Sequence, residues 1–130
     1  MDKFLLDTHV VLWIAENSPN IPSKIKQILS CHTVKCVSIA SAWEIAIKLG
    51  NKGNKTINLP GGLPEFYKMV DFNTFFTLPI KRTYLIQLLS LPFIHKDPFD
   101  RLLIATALVE GLTIITADEN IHQYNVPWVW

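Results

Sequence analysis

The chain has 130 residues, 49% of them hydrophobic and 18% charged, which excludes a disordered chain and gives room for one packed domain over residues 1–130. A formal net charge of +1 provides no global attraction for a polyanion, so nucleic acid would have to be held by local basic residues or through metal. Cys31 and Cys36 do not make a disulfide framework, and with His32 they lack the second Cys/His pair that a zinc site needs.

Lys3 to Asp7 reads as a first, buried strand, its apolar run Phe4-Leu5-Leu6 closed by an acid. Thr8 to Glu16 reads as a helix, with Val11, Leu12 and Ala15 at helical spacing. Its apolar stretch Val10 to Ala15 is too short for a membrane span and lacks a cleavage-site pattern. With reduced, structural cysteines, that leads us to expect a cytoplasmic protein that does not enter a membrane. Pro22 opens a second helix striped by Ile21, Ile25, Ile28 and Leu29. Val34 to Ser38 is a second strand, and Ser38 caps the helix Ile39 to Leu49, which stops at Gly50.

Asn51 to Gly62 reads as a loop carrying Lys52 and Lys55. Leu63 to Val70 reads as a helix, Phe75 to Leu78 as a short strand and Lys81 to Leu89 as another helix. Asp97-Pro98 starts the helix Pro98 to Glu110, which Gly111 ends. Leu112 to Thr116 is a fourth strand, a short helix follows Asp118, and Val126 to Trp130 suits an edge strand because Pro127 is tolerated there. Strands alternating with helices imply an α/β three-layer sandwich: about five parallel strands between helices.

Asp7, Glu44, Asp100 and Asp118 each stand where a strand ends or a helix begins. Each has a structural reading. Asp7 and Asp118 suit helix N-caps, Glu44 is four residues before Lys48 on one helix, and Asp100 complements a helix dipole behind the N-cap Asp97. Taken together, capping does not explain why two strands both end at an acid. Nor does it explain Glu44 among the apolar Trp43, Ile45 and Ile47. In a parallel sheet the strand ends face one crevice, where ligands collect. Carboxylates gathered there repel unless a cation holds them, and oxygen ligands of this kind suit Mg²⁺ or Mn²⁺.

Four segments resemble the PIN-domain nucleases, and among them the VapC-type toxins of bacterial toxin–antitoxin pairs. They are Leu5-Leu6-Asp7-Thr8-His9, Ser38 to Ile45, Asp97-Pro98-Phe99-Asp100-Arg101-Leu102-Leu103-Ile104-Ala105 and Ile115-Thr116-Ala117-Asp118. The likeness runs over essentially the whole chain in family order. It implies a PIN-like five-stranded parallel sheet and an intact acidic quartet at Asp7, Glu44, Asp100 and Asp118. It further implies an endoribonuclease dependent on Mg²⁺ or Mn²⁺, in which metal-activated water attacks an RNA phosphodiester in line. Asp7 and Asp100 would be the principal ligands, with Glu44 and Asp118 completing the site or orienting water. Glu44 is the general-base candidate. Asp97 is favoured as an N-cap over an indirect metal contact. The resemblance also implies a homodimer inhibited by a small antitoxin protein.

Thr8 and Thr116 flank the site as candidates to hydrogen-bond its carboxylates, although threonine is common at strand ends. His9 is a weaker candidate for such a role. Lys48, Lys52, Lys55 and Arg101, with Lys96 beside them, are candidates to grip phosphates, each weighed against ordinary surface charge. Trp13, Trp43, Trp128 and Trp130 read as core or interface rather than base-stacking platforms.

Two other acidic-pocket folds fail locally. A receiver domain needs an acid at the end of the third strand, where Phe75-Phe76-Thr77-Leu78-Pro79 has none. A haloacid-dehalogenase-like phosphatase needs a second Asp where this chain has His9. The alternative from a different class is a catalytically silent protein-binding module whose carboxylates are only caps.

Overall fold

A computed structural model describes residues 2–51 and 57–130. Lys52 and Lys55, and with them part of the expected loop, lie outside the described residues. The strands are β1 (Lys3–Leu6), β2 (Val34–Ser38), β3 (Phe76–Leu78), β4 (Thr113–Ile115) and β5 (Trp128–Val129). The helices are α1 (Thr8–Ala15), α2 (Ser23–Ser30), α3 (Ile39–Gly50), α4 (Gly62–Phe72), α5 (Arg82–Leu88), α6 (Pro98–Glu110) and α7 (Glu119–His122).

All strand pairs are parallel, and the order across the sheet is β3-β2-β1-β4-β5. β1 is therefore central, with Leu5 opposite Cys36 on one side and Ile114 on the other. A central parallel strand is covered on both faces, which is why β1 and β4 read as unbroken apolar runs. Alternate residues serve two cores. Phe4, Leu6, Val37 and Ile115 meet α1, α2, α3 and α4 through Val10, Ile25, Ile45 and Phe66. Leu5, Cys36 and Ile114 meet α6 through Leu103, Ile104 and Ala107.

The caps follow the sequence. Ser38 accepts the N–H of Ala40, and Gly111 ends α6 at φ 67°, a left-handed conformation that glycine adopts without penalty. Pro22 occupies the N-cap of α2 instead of its first turn, and β5 is shorter than the segment expected from 126 to 130. None of the described helices is long and apolar enough to cross a membrane.

The chain passes from β1 to β2 on one side and later returns to β4 on the other. The order thus reverses between β1 and β4. Parallel pairing puts the carboxyl ends of β1, β2 and β4 together, so Asp7, the start of α3 and Thr116 share one edge of the sheet. This is the crevice where ligands bind in open α/β sheets.

Candidate metal centre

Asp7 stands at the N-cap position of α1, yet its side chain makes no capping hydrogen bond. Its Oδ2 accepts the hydroxyl of Thr116 at 2.7 Å, while Oδ1 is buried without a partner. Capping therefore does not account for Asp7. Burial pushes its carboxyl above the ordinary range, and the Thr116 hydrogen bond only partly opposes that.

Glu44 comes from the second turn of α3 and is 3% exposed. Its Oε2 accepts from Nζ of Lys48 at 3.0 Å, the helical pair that the spacing allows. Oε1 is buried with no partner. The helical pair thus accounts for one oxygen of Glu44 and leaves the other unexplained.

Asp100 lies in the first turn of α6. Asp97 is the cap, accepting the N–H groups of Phe99 at 2.8 Å and Asp100 at 3.2 Å. The carboxyl of Asp100 is pushed up to about 8, first by burial and then by the charges of Asp7, Asp97, Glu44 and Asp118.

Asp118 has two roles. Oδ1 caps α7 by accepting the N–H of Asn120 at 2.8 Å, and Oδ2 lies 3.0 Å from Nε2 of His95. Burial would raise Asp118, but the hydrogen bonds from His95 and Asn120 outweigh it and hold the carboxyl below the usual range. His95 also lies 2.8 Å from Oδ2 of Asp100.

His95 is not marked by the sequence pattern. It sits in the irregular stretch before α6, and Asp118 reaches it only through the fold. Its place five residues before Asp100 was the available signal.

The remaining candidates divide. Thr116 bonds Asp7 as expected. Thr8 does not meet a carboxylate; its hydroxyl donates to Oγ of Ser41 at 2.8 Å and ties α1 to α3. Arg101 is used structurally: Nη1 donates to the carbonyl of Pro92 at 2.9 Å and the hydroxyl of Tyr124 at 3.2 Å, and the guanidinium lies over Phe93. Trp13 packs on Trp130, whereas Trp43 is 55% exposed with its ring edge-on to Phe99.

An open cleft of about 280 Å³ lined by Asp7, His9, Val10, Trp13, Ala117 and Asp118 gives access to the acids. A larger cavity of about 700 Å³, lined in part by Leu59, Met69 and Phe72, lies away from the cluster, so chemistry rather than size places the site.

The donor set fits a hard divalent cation. Carboxylate oxygens surround the site, and the buried, unpartnered Oδ1 of Asp7 and Oε1 of Glu44 are the kind of atom that a cation would satisfy. His95 Nε2, Asp100 and Asp118 also offer donors within 4.8 Å of one another.

A family model for the PIN domain matches residues 4–127. No curated protein sequence matches the chain. Among solved structures, VapBC2 from Rickettsia felis bound to a DNA fragment from their promoter superposes with a TM-score of 0.69 at 12% identity, covering 97% of this chain and 96% of that one. DNA-bound VapBC from Salmonella typhimurium gives 0.67 at 16% identity, with 99% and 98% covered. A toxin–antitoxin complex from Klebsiella pneumoniae gives 0.64 at 19% identity, with 98% and 97% covered. At these identities the structural likeness speaks for the fold.

Proposed function

The chain belongs to the PIN-domain family, and from that premise we propose that it is a divalent-metal-dependent endoribonuclease, the toxin of a toxin–antitoxin pair. The observation that carries the metal reading is that two buried carboxylate oxygens, Oδ1 of Asp7 and Oε1 of Glu44, have no partner, together with the elevated carboxyl of Asp100. Holding carboxylates together without a counter-charge costs stability, and a site that binds a cation gives that cost a purpose.

Asp7 and Asp100 are the principal ligands in this reading, with Asp118 and Glu44 completing the set. A bound Mg²⁺ or Mn²⁺ supplies an activated water and neutralises charge on the phosphodiester. The chain's own residues do the rest. Thr116 fixes the rotamer of Asp7, and Glu44 has an oxygen free to orient water. Lys48, whose side chain is 33% exposed, stands at the edge of the site to meet a phosphate. The toxin assignment and the antitoxin partner are supported by the VapBC and toxin–antitoxin complexes among the neighbours; a homodimer is part of the same reading.

The test is incubation of the purified chain, free of antitoxin, with structured RNAs in Mg²⁺ or Mn²⁺, with EDTA and Asp7→Asn as controls. Discrete cleavage lost in both controls supports the nuclease. No cleavage together with no metal binding by calorimetry would favour the protein-binding module.

A further inference from the structure

His95 enters the carboxylate cluster from the segment before α6. Its Nε2 is 2.8 Å from Oδ2 of Asp100 and 3.0 Å from Oδ2 of Asp118, and the side chain is 13% exposed. By spacing alone these three groups form a metal triad, with a nitrogen added to two oxygens. The other ring nitrogen argues against that. Nδ1 accepts the backbone N–H of Asp97 at 3.2 Å, so its lone pair is engaged and a ring proton belongs on Nε2. A metal-bound imidazole has the opposite arrangement: its outer nitrogen donates, and the ligating nitrogen carries no proton.

The surrounding contacts keep His95 in this orientation. The side chain of Asp97 caps α6, which fixes its own N–H. The hydroxyl of Tyr124 accepts the backbone N–H groups of His95 at 2.8 Å and Ile94 at 3.2 Å. Turning the ring over would sacrifice the Asp97 bond.

We infer that His95 competes with the divalent cation: its Nε2–H donates to Oδ2 of Asp118 and lies 2.8 Å from Oδ2 of Asp100, two oxygens that the cation needs, so loading requires this contact to yield. The inference rests on the metal reading of the site proposed above. A proton and a cation directed at the same oxygen repel, and Asp118 has little slack because Oδ1 is already committed to Asn120. The cation affinity is therefore set below what the carboxylates alone would give.

The experiment measures Mn²⁺ binding by calorimetry at fixed pH for the wild-type chain, His95→Ala and His95→Gln, with circular dichroism to confirm folding. His95→Ala removes the competing donor and should bind Mn²⁺ about tenfold more tightly, the scale of a lost charge-assisted hydrogen bond. His95→Gln keeps an N–H donor and should stay closer to wild type. Unchanged or weaker binding by folded His95→Ala overturns the inference. A second readout needs no Ala variant: spin-echo spectroscopy of Mn²⁺ on the wild-type chain should show no directly bound imidazole nitrogen. Such a nitrogen, present in wild type and lost in His95→Gln, would make His95 a ligand and overturn the competition. If the wild-type chain binds no Mn²⁺, the metal reading fails and the inference falls with it. If Mn²⁺ binds and RNA is cut but His95→Ala gains nothing, only the competition fails.

Discussion

The hydroxyl of Thr116 donates to Oδ2 of Asp7 at 2.7 Å, joining residues 109 positions apart, and the same hydroxyl oxygen accepts the backbone N–H of Asp118 at 3.0 Å. One side chain at the end of β4 thus sets the position of the acid that ends β1 and of the acid two residues beyond itself. The bond crosses the point where the strand order reverses.

Thr116→Val keeps the shape of this fully buried side chain and deletes its hydroxyl. Oδ2 of Asp7 and the N–H of Asp118 then both lose a partner. We expect a loss of about 1–3 kcal/mol in urea denaturation, since each orphaned buried group costs its desolvation. Divalent-cation affinity should fall roughly 10–100-fold, as when an outer partner of a metal ligand is removed. Thr116→Ser should restore both. A Val variant with unchanged Mn²⁺ affinity would make the hydroxyl incidental to the site.

Asp7→Asn should separate stability from activity. Asp7 is 3% exposed, and burial raises its carboxyl, so ionising it is unfavourable in the fold. Asn keeps an acceptor for Thr116 and removes one like charge. In EDTA the variant should be as stable as wild type or more stable by up to about 2 kcal/mol, as is usual when a strained functional site is relaxed. RNA cleavage should fall by more than the roughly 100-fold expected for an outer-shell change. Equal losses of stability and cleavage would mean that the substitution merely unfolds the chain.

Residues whose role follows from chain-local rules were legible in the sequence. Phe4-Leu5-Leu6 and Ile114-Ile115 announce strands buried on both faces, and Asp97, Pro98 and Gly111 bracket α6 with the chemistry of helix ends. The acids at the ends of β1 and β4 had to converge once the sheet was parallel. His95, Ser41 and Tyr124 were hidden, because each acquires its role from a residue placed against it only by the fold: Asp118, Thr8 and Arg101 respectively. Arg101 shows the converse. Next to Asp100 in sequence, it is a candidate phosphate contact, and only the fold shows that its guanidinium also holds the carbonyl of Pro92 and the hydroxyl of Tyr124.

Stability should depend on pH in the direction opposite to that of an ordinary salt-bridged acid. Asp100 is raised from 3.8 to about 8, so between those values the folded chain binds a proton that the unfolded chain has released. Its contribution is complete below 3.8 and is lost as pH rises towards about 8. Asp7 is raised as well and has the same sign. Asp118 and Glu110 are lowered from 3.8 and 4.5 and act in the opposite sense, but their windows lie below those values. In EDTA the urea midpoint should therefore fall from about pH 5 to about pH 8, with Asp100 contributing at most about 1.4 kcal/mol per unit. Saturating Mn²⁺ should reduce the fall, because the cation binds the deprotonated acids and stabilises the folded chain. The same slope in Asp100→Asn would assign it to other groups.

Lys35 gives a control far from the chemistry. It is 6% exposed near the amino end of β2, and its ammonium donates to the carbonyls of Leu29 at 3.2 Å, Ile28 at 3.5 Å and Cys31 at the end of α2. Carbonyls at a helix end outnumber the N–H groups left to pair with them (Ile28 also accepts the N–H of Cys31 at 3.2 Å), and a cation there also offsets the helix dipole. Lys35→Met retains much of the stem and removes all three donors, so stability should drop by about 2–3 kcal/mol. Lys35 and Ser38 lie three residues apart on one strand, roughly 10 Å, and the acids gather beyond Ser38. Mn²⁺ affinity and cleavage per folded molecule should therefore stay at wild-type values. If they fell with stability unchanged, the end of α2 would be coupled to the site through β2, and the acidic cluster could not be treated as held by its own hydrogen bonds alone.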